Sequence, residues 1–137
     1  MHTAEHLLNA TMVRLIGTER SFSAHIERKK SKCDYRFHRD LTDEEVSSIE
    51  EKVRECISAD IPVTEDFLSR DEAAARFSLT RLPESAGENI RIVQIGGYDA
   101  VPCIGEHVSS TGEIPGFAIT SRSFSDGVLR LRFKIEV

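Results

Sequence analysis

The chain opens with apolar positions at helical spacing. Leu7, Leu8, Thr11 and Leu15 fall on one stripe, and Gly17 is a natural stop behind them. The period then shortens. Residues 22–26 and 33–37 read as strands, and the charged Arg28-Lys29-Lys30-Ser31-Lys32 between them reads as the tip of a hairpin. A well-marked helix follows. Thr42 and Glu45 have capping-box spacing, and Leu41 and Val46 stand in staple positions. Val46, Ile49, Val53 and Ile57 form the buried stripe of this helix, with Glu50, Glu51, Lys52 and Arg54 on its solvent side. Ile61-Pro62 ends it, and it reads as scaffold rather than site.

Residues 63–67 suit a strand. Ser69-Arg70-Asp71-Glu72 repeats the capping signature ahead of Ala73-Ala74-Ala75, which predicts a short helix. Residues 83–89 read as a polar loop. Ile90-Arg91-Ile92-Val93-Gln94-Ile95 reads as a strand that Gly96-Gly97 breaks. At the end, Leu129, Leu131, Phe133, Ile135 and Val137 alternate with Arg130, Arg132, Lys134 and Glu136, the pattern of a half-buried strand in an antiparallel sheet. Helices and strands mix without regular βαβ alternation, so the class is α+β, an antiparallel sheet packed with helices. With no repeat or linker, the expectation is one domain over residues 1–137.

Composition narrows the function classes. A chain of 137 residues can bury a core without disulfide staples. Its three cysteines, Cys33, Cys56 and Cys103, have no framework spacing, which points to a reducing compartment and to cysteine as ligand or nucleophile. No apolar run has the length of a membrane span and the first residues do not read as a signal peptide, so the expected setting is the cytoplasm. The net charge of −5 argues against an indiscriminate nucleic-acid binder. It leaves room for recognition of one RNA end through a local patch. Arg28-Lys29-Lys30-Ser31-Lys32 is the candidate, and a solvated hairpin tip is the plain reading of the same residues.

Two short motifs carry chemistry. His2 and His6 are four apart and lie above one another on a helix face. Cys103 and His107 repeat that spacing beyond Gly96-Gly97 and Pro102, in a loop that can fold back over the pair. Three imidazoles and one thiolate form a donor set that zinc favours. Each pair alone also has a plain reading: surface histidines on a helix, a small buried thiol, a loop histidine.

His2-Thr3-Ala4-Glu5-His6-Leu7-Leu8 resembles the H-T-A-x-H-L-L opening of the editing domain of alanyl-tRNA synthetases and of free-standing AlaX-type proteins. The stretch from Cys103-Ile104-Gly105-Glu106-His107-Val108 to Thr111-Gly112-Glu113-Ile114 is similar to the family's C-G-G-T-H-V-x-x-T-G-E-I. Arg36-Phe37, Asp40-Leu41-Thr42 and the strand before the cysteine add to the likeness, which covers essentially the whole chain. The resemblance implies zinc on His2, His6, Cys103 and His107. It also implies hydrolysis, in trans, of the ester joining serine or glycine to the acceptor end of tRNA specific for alanine. The editing domain of threonyl-tRNA synthetase is similar in fold and motif. The likeness is to the shortest form, without a glycine-rich companion domain.

The sequence also departs from the pattern. Ile104-Gly105-Glu106 replaces Gly-Gly-Thr, which restricts the backbone and adds a carboxylate beside the metal. Glu106 is a candidate general base or ligand-orienting group, with a solvated glutamate as the alternative. Phe22 and Ala24 stand where glutamine and glycine are frequent, so Phe22 is expected to make the pocket more apolar or to fill it, and His25 follows as a second catalytic candidate. Four protein donors describe a closed site, whereas catalytic zinc keeps a position open. Cys103 is read as a ligand, with a covalent nucleophile as the other possibility. A zinc-stabilised module that binds tRNA or protein without catalysis is the competing function.

Overall fold

In a computed structural model, which describes residues 1–79, 82 and 87–136, the first helix is central rather than amphipathic. This is α1 (His2–Thr11), in which every residue from Thr3 to Thr11 is buried. The chain then widens into a π-helical turn, Met12–Ile16, closed by a 3.0 Å bond from the Gly17 N–H to the Met12 carbonyl. That wider closure shifts the helical phase. Met12 takes the buried position, while Leu15, expected on the apolar stripe, is 49% exposed. Gly17 stops the helix in the left-handed region at φ 86°, a conformation glycine adopts without steric cost.

The expected hairpin is β1 (Ser23–Ile26) and β2 (Lys30–Arg36), part of a four-stranded sheet. The helix after it, α2 (Asp43–Ser58), carries the expected capping box: Thr42 Oγ1 accepts from the Glu45 N–H at 3.1 Å, and Glu45 Oε1 from the Thr42 N–H at 2.9 Å. Ile49, Val53 and Cys56 are its buried residues. It stops at Ser58, short of Ile61-Pro62, because Asp60 enters the left-handed region at φ 51°.

A second, three-stranded antiparallel sheet has the order β3-β4-β5, from β3 (Val63–Ser69), β4 (Asn89–Ile95) and β5 (Asp99–Pro102). Between β3 and β4 lies α3 (Arg70–Arg76), capped by Ser69, whose Ala73 packs with Ile90 and Ile92 in a small cluster. Of the loop expected over 83–89, residues 83–86 lie outside the described residues, and Asn89 opens β4. Val137 also lies outside them.

The first sheet is completed by β6 (Ala118–Ser125) and β7 (Val128–Lys134), in the order β1-β2-β7-β6. Register places Ser31 opposite Phe133, Cys33 opposite Leu131 and Tyr35 opposite Leu129, all buried. This inner face meets Leu7, Leu8 and Met12 from the first helical segment and Ile49 and Val53 from α2 in the main core. Ile95 joins the same cluster, so β4 is fastened to the core and β5 lies against α1. That packing carries the residues after β5 to the start of α1. Among the described residues no helix is long and apolar enough to cross a membrane.

Candidate metal centre

His6 stands on the first full turn of α1 and is 3% exposed. The loop after β5 brings Cys103 and His107 to it. Donor atoms of His6, Cys103 and His107 all lie within 4.8 Å of one another, close enough for one ion to engage all three. His107 Nε2 is 3.4 Å from Cys103 Sγ, and the His6 and His107 ring centres are 4.5 Å apart. His2 is adjacent but outside that set, its ring centre 6.1 Å from that of His107. Gly105 lies against the His2 ring, where a Cβ would meet its atoms at 2.7 Å. The structure thus brings three of the four sequence-derived donors together and places the fourth beside them.

Two residues to which the sequence assigned no role shape this arrangement. Thr3, buried on α1, has its Oγ1 2.9 Å from His107 Nδ1 and accepts from the Val108 N–H at 3.3 Å. Arg91 of β4 donates from Nη1 to the Gly105 carbonyl at 2.6 Å and the Cys103 carbonyl at 3.4 Å, and its Nε meets Glu65. The Cys103 N–H returns to the Arg91 carbonyl at 3.2 Å. One arginine therefore pins the loop between β5 and His107. A cation inside the apolar run Ile90–Ile95 was the available signal.

Electrostatics suit a metal ligand set. Burial first, then the charge of Arg91, pushes His107 down to about 4, so its imidazole is neutral at physiological pH and its lone pair free to coordinate. Burial also lowers His2, with the Glu106 carboxylate opposing the shift. Burial raises the Cys103 thiol, partly offset by the Gly105 N–H that donates to its sulfur at 3.3 Å. Two imidazoles and a sulfur with a donated N–H are chemically fit for a borderline-soft cation.

A cleft of about 1020 Å³ opens beside these donors, lined by His2, Glu5, His6, Arg20, Phe22, Ala24 and Cys103 among others. Arg20 pairs with Asp99 at 2.7 Å, and burial raises the Asp99 carboxyl while Arg20 pulls it down. Asp99 is also 4.0 Å from His6 Nδ1. Phe22 forms part of the wall and does not fill the space; it is 38% exposed, with Arg36 over its ring at 4.0 Å.

The two catalytic candidates are not among the described residues lining the cleft. His25 sits on β1 between Ala24 and Ile26, which do line it, so strand alternation turns the imidazole to the outer side, 3.4 Å from Glu27. Glu106 is exposed on the loop, and the cleft carboxylate nearest the donors is Glu5, 3.8 Å from His6 Nε2. Thr111-Gly112-Glu113, part of the second motif, is fold-holding: Thr111 Oγ1 donates to the Cys56 carbonyl at 2.6 Å and accepts from the Ile61 N–H at 2.8 Å.

Residues 90–132, which include Cys103 and His107, match the family described as the threonyl and alanyl tRNA synthetase second additional domain. The chain is 36% identical over 136 residues to an alanine–tRNA ligase of Methanopyrus kandleri and 36% identical over 132 residues to one of Pseudothermotoga lettingae. These alignments cover 96% and 95% of the chain but 15% of each ligase. A third, from Ignicoccus hospitalis, is 36% identical over 137 residues. The chain spans about one seventh of the length of these relatives, and its likeness to them over nearly its whole length supports an editing-type domain related to alanyl-tRNA synthetase.

Proposed function

We propose that this domain hydrolyses the ester of tRNA specific for alanine that carries serine or glycine, with zinc on His6, Cys103 and His107. The observation that carries the reading is the convergence of those three donors at the edge of the cleft, with His2 beside them. Bound there, zinc supplies Lewis acidity next to a space large enough for an aminoacyl ester.

The chain's own groups do the rest. Thr3 and Arg91 hold His107 and the Cys103–Gly105 backbone in place before substrate arrives, so little reorganisation accompanies the reaction. Glu5 and Glu19 line the cleft and offer counter-charge to the aminoacyl ammonium. Phe22, Ala24 and Ile26 form an apolar wall that restricts water, and Arg20, fixed by Asp99, sets a cation where the RNA end enters. An activated ester needs mainly positioning and carbonyl polarisation to react.

A second reading, a metal clip in a non-catalytic tRNA- or protein-binding module, is favoured by His2, which stands beside the set and would close it as a fourth donor on a small movement. The two separate in one experiment. Ser-, Gly- and Ala-charged tRNA specific for alanine is incubated with the isolated zinc-loaded chain. Loss of serine and glycine with alanine retained supports hydrolysis; binding without loss of any of the three supports the module.

A further inference from the structure

The outer face of the four-stranded sheet gathers cations that are separated in sequence. Antiparallel register sets Lys30 opposite Lys134 and Lys32 opposite Arg132. Two residues along, Asp34 faces Arg130 and is bonded to it at 2.7 and 2.9 Å. On the same face, β6 contributes Ser121 opposite Arg132 and Ser123 opposite Arg130, hydroxyls rather than carboxylates. Lys30, Lys32, Arg132 and Lys134 are in none of the ion pairs within 4.0 Å among the described residues, and the Asp34 carboxylate, bonded to Arg130, also feels the charge of Lys32 and Arg132. The carboxylates at the margin are Glu27, beside His25, and Glu136 past the end of β7.

Like charges directly across a ladder destabilise a sheet, so two such pairs side by side call for an anionic partner. Asp34 is the carboxylate on the strip itself, and a larger acidic surface lies elsewhere. Asp43, Glu44, Glu45, Glu50, Glu51 and Glu55 are set on α2 against only Lys52 and Arg54, and α2 packs on the opposite, inner side of the sheet. The strip also has a direction. It runs along β2, which spans about 20 Å, from the hairpin tip to Arg36, whose guanidinium stacks on Phe22 in the wall of the cleft.

We infer that this face, Lys30, Lys32, Arg132 and Lys134 with Arg36 at its end, is the docking surface for the phosphate backbone of the tRNA acceptor stem. The stem lies along β2 and β7 and delivers its end past Arg36 and Phe22 into the cleft. The inference rests on the deacylase reading for the identity of the RNA, and on register and charge for the surface. A backbone-reading strip of this kind recognises position rather than sequence, and the exposed Phe22 ring offers a terminal base a stacking partner.

The test measures binding of uncharged tRNA specific for alanine by fluorescence anisotropy across a salt series, so that no hydrolysis is needed. The variant is Lys30→Gln/Lys32→Gln/Arg132→Gln/Lys134→Gln, beside wild type. The expected result is a rise in Kd of at least about tenfold, with a log K against log salt slope shallower by about 0.9 for each phosphate no longer neutralised. Relief of like-charge pairing should leave thermal stability equal or higher; the pair variant Lys32→Gln/Arg132→Gln, with an intermediate expected loss, serves if the fourfold one does not fold. Unchanged Kd and slope overturn the inference. So does wild type that ignores tRNA but binds phosphatidylserine vesicles through these residues. Weakened binding in the variant, with no hydrolysis by wild type, keeps the surface and removes the deacylase reading instead.

Discussion

Thr3 Oγ1 and His107 Nδ1, 104 residues apart in sequence, stand 2.9 Å from each other. The Val108 N–H already donates to the same hydroxyl oxygen. If His107 Nδ1–H donates as well, the imidazole is held in the tautomer whose Nε2 lone pair faces Cys103, 3.4 Å away. Replacing Thr3 by valine keeps the shape and removes the acceptor. Zinc affinity, measured by competition with a chromogenic chelator, should fall by about 10- to 100-fold, and Thr3→Ser should retain most of it. Equal affinities for wild type and Thr3→Val would remove this role.

Arg91 makes a second prediction. Its Nη1 bridges two carbonyls of the ligand loop while Glu65 holds its Nε. Arg91→Met should loosen residues 103–107, seen as faster proteolysis there and zinc affinity lower by about tenfold. Arg91→Lys should fall between, because a single ammonium does not reproduce the planar fork. Identical proteolysis in all three proteins would contradict the clamp.

His2 and Gly105 should couple. A Cβ at position 105 would meet the His2 ring at 2.7 Å, so Gly105→Ala must displace the imidazole. If His2 adds to metal binding, Gly105→Ala weakens zinc in wild type but changes little in a His2→Ala background. Additive losses would show that the two act separately.

Much of the scaffold was legible in the sequence because local chemistry specifies it. Thr42 and Glu45 had the spacing their capping box uses, and Leu129, Leu131 and Phe133 had the strict alternation of a one-face-buried strand. The π-helical turn was not legible, since Leu15 keeps helical spacing and only the Gly17-to-Met12 closure moves it outward. The strand Ala118–Ser125 was missed because its outward positions are serines and Arg122 points in toward Asp43 at the start of α2. The approach of His6, Cys103 and His107 was legible from residue type and spacing, whereas the place of His2 beside that set was not. The positions of His25 and Glu106 were not, because they depend on which side of a strand or loop meets the cleft. Net charge was misleading for a related reason: it sums over α2 and the sheet face, which point in opposite directions.

Acid stability provides a prediction independent of the metal. The Arg130 guanidinium holds the Asp34 carboxyl below the usual range, and Arg39 with the Thr42 N–H holds Glu45 at about 2. Both native values are depressed, so their stabilisation is present above the unfolded carboxyl values of about 4 and is lost as pH falls through the native ones. Urea unfolding should show a decline from about pH 4 downward that is smaller in Asp34→Asn/Glu45→Gln. At neutral pH, Thr42→Ala should cost about 1 kcal/mol through the lost cap. An acid-side decline as steep in the double variant as in wild type would contradict the assignment.

In the proposed function, His6, Cys103 and His107 hold a metal that makes this domain an ester hydrolase for mischarged tRNA. The most direct test follows loss of radiolabelled serine from tRNA specific for alanine, with zinc-loaded wild type beside Cys103→Ala that circular dichroism shows to be folded. The expected outcome is rapid loss with wild type, alanine left in place on the matched substrate, and no loss with Cys103→Ala. Intact Ser- and Gly-charged tRNA in the presence of folded, zinc-loaded wild type would contradict it.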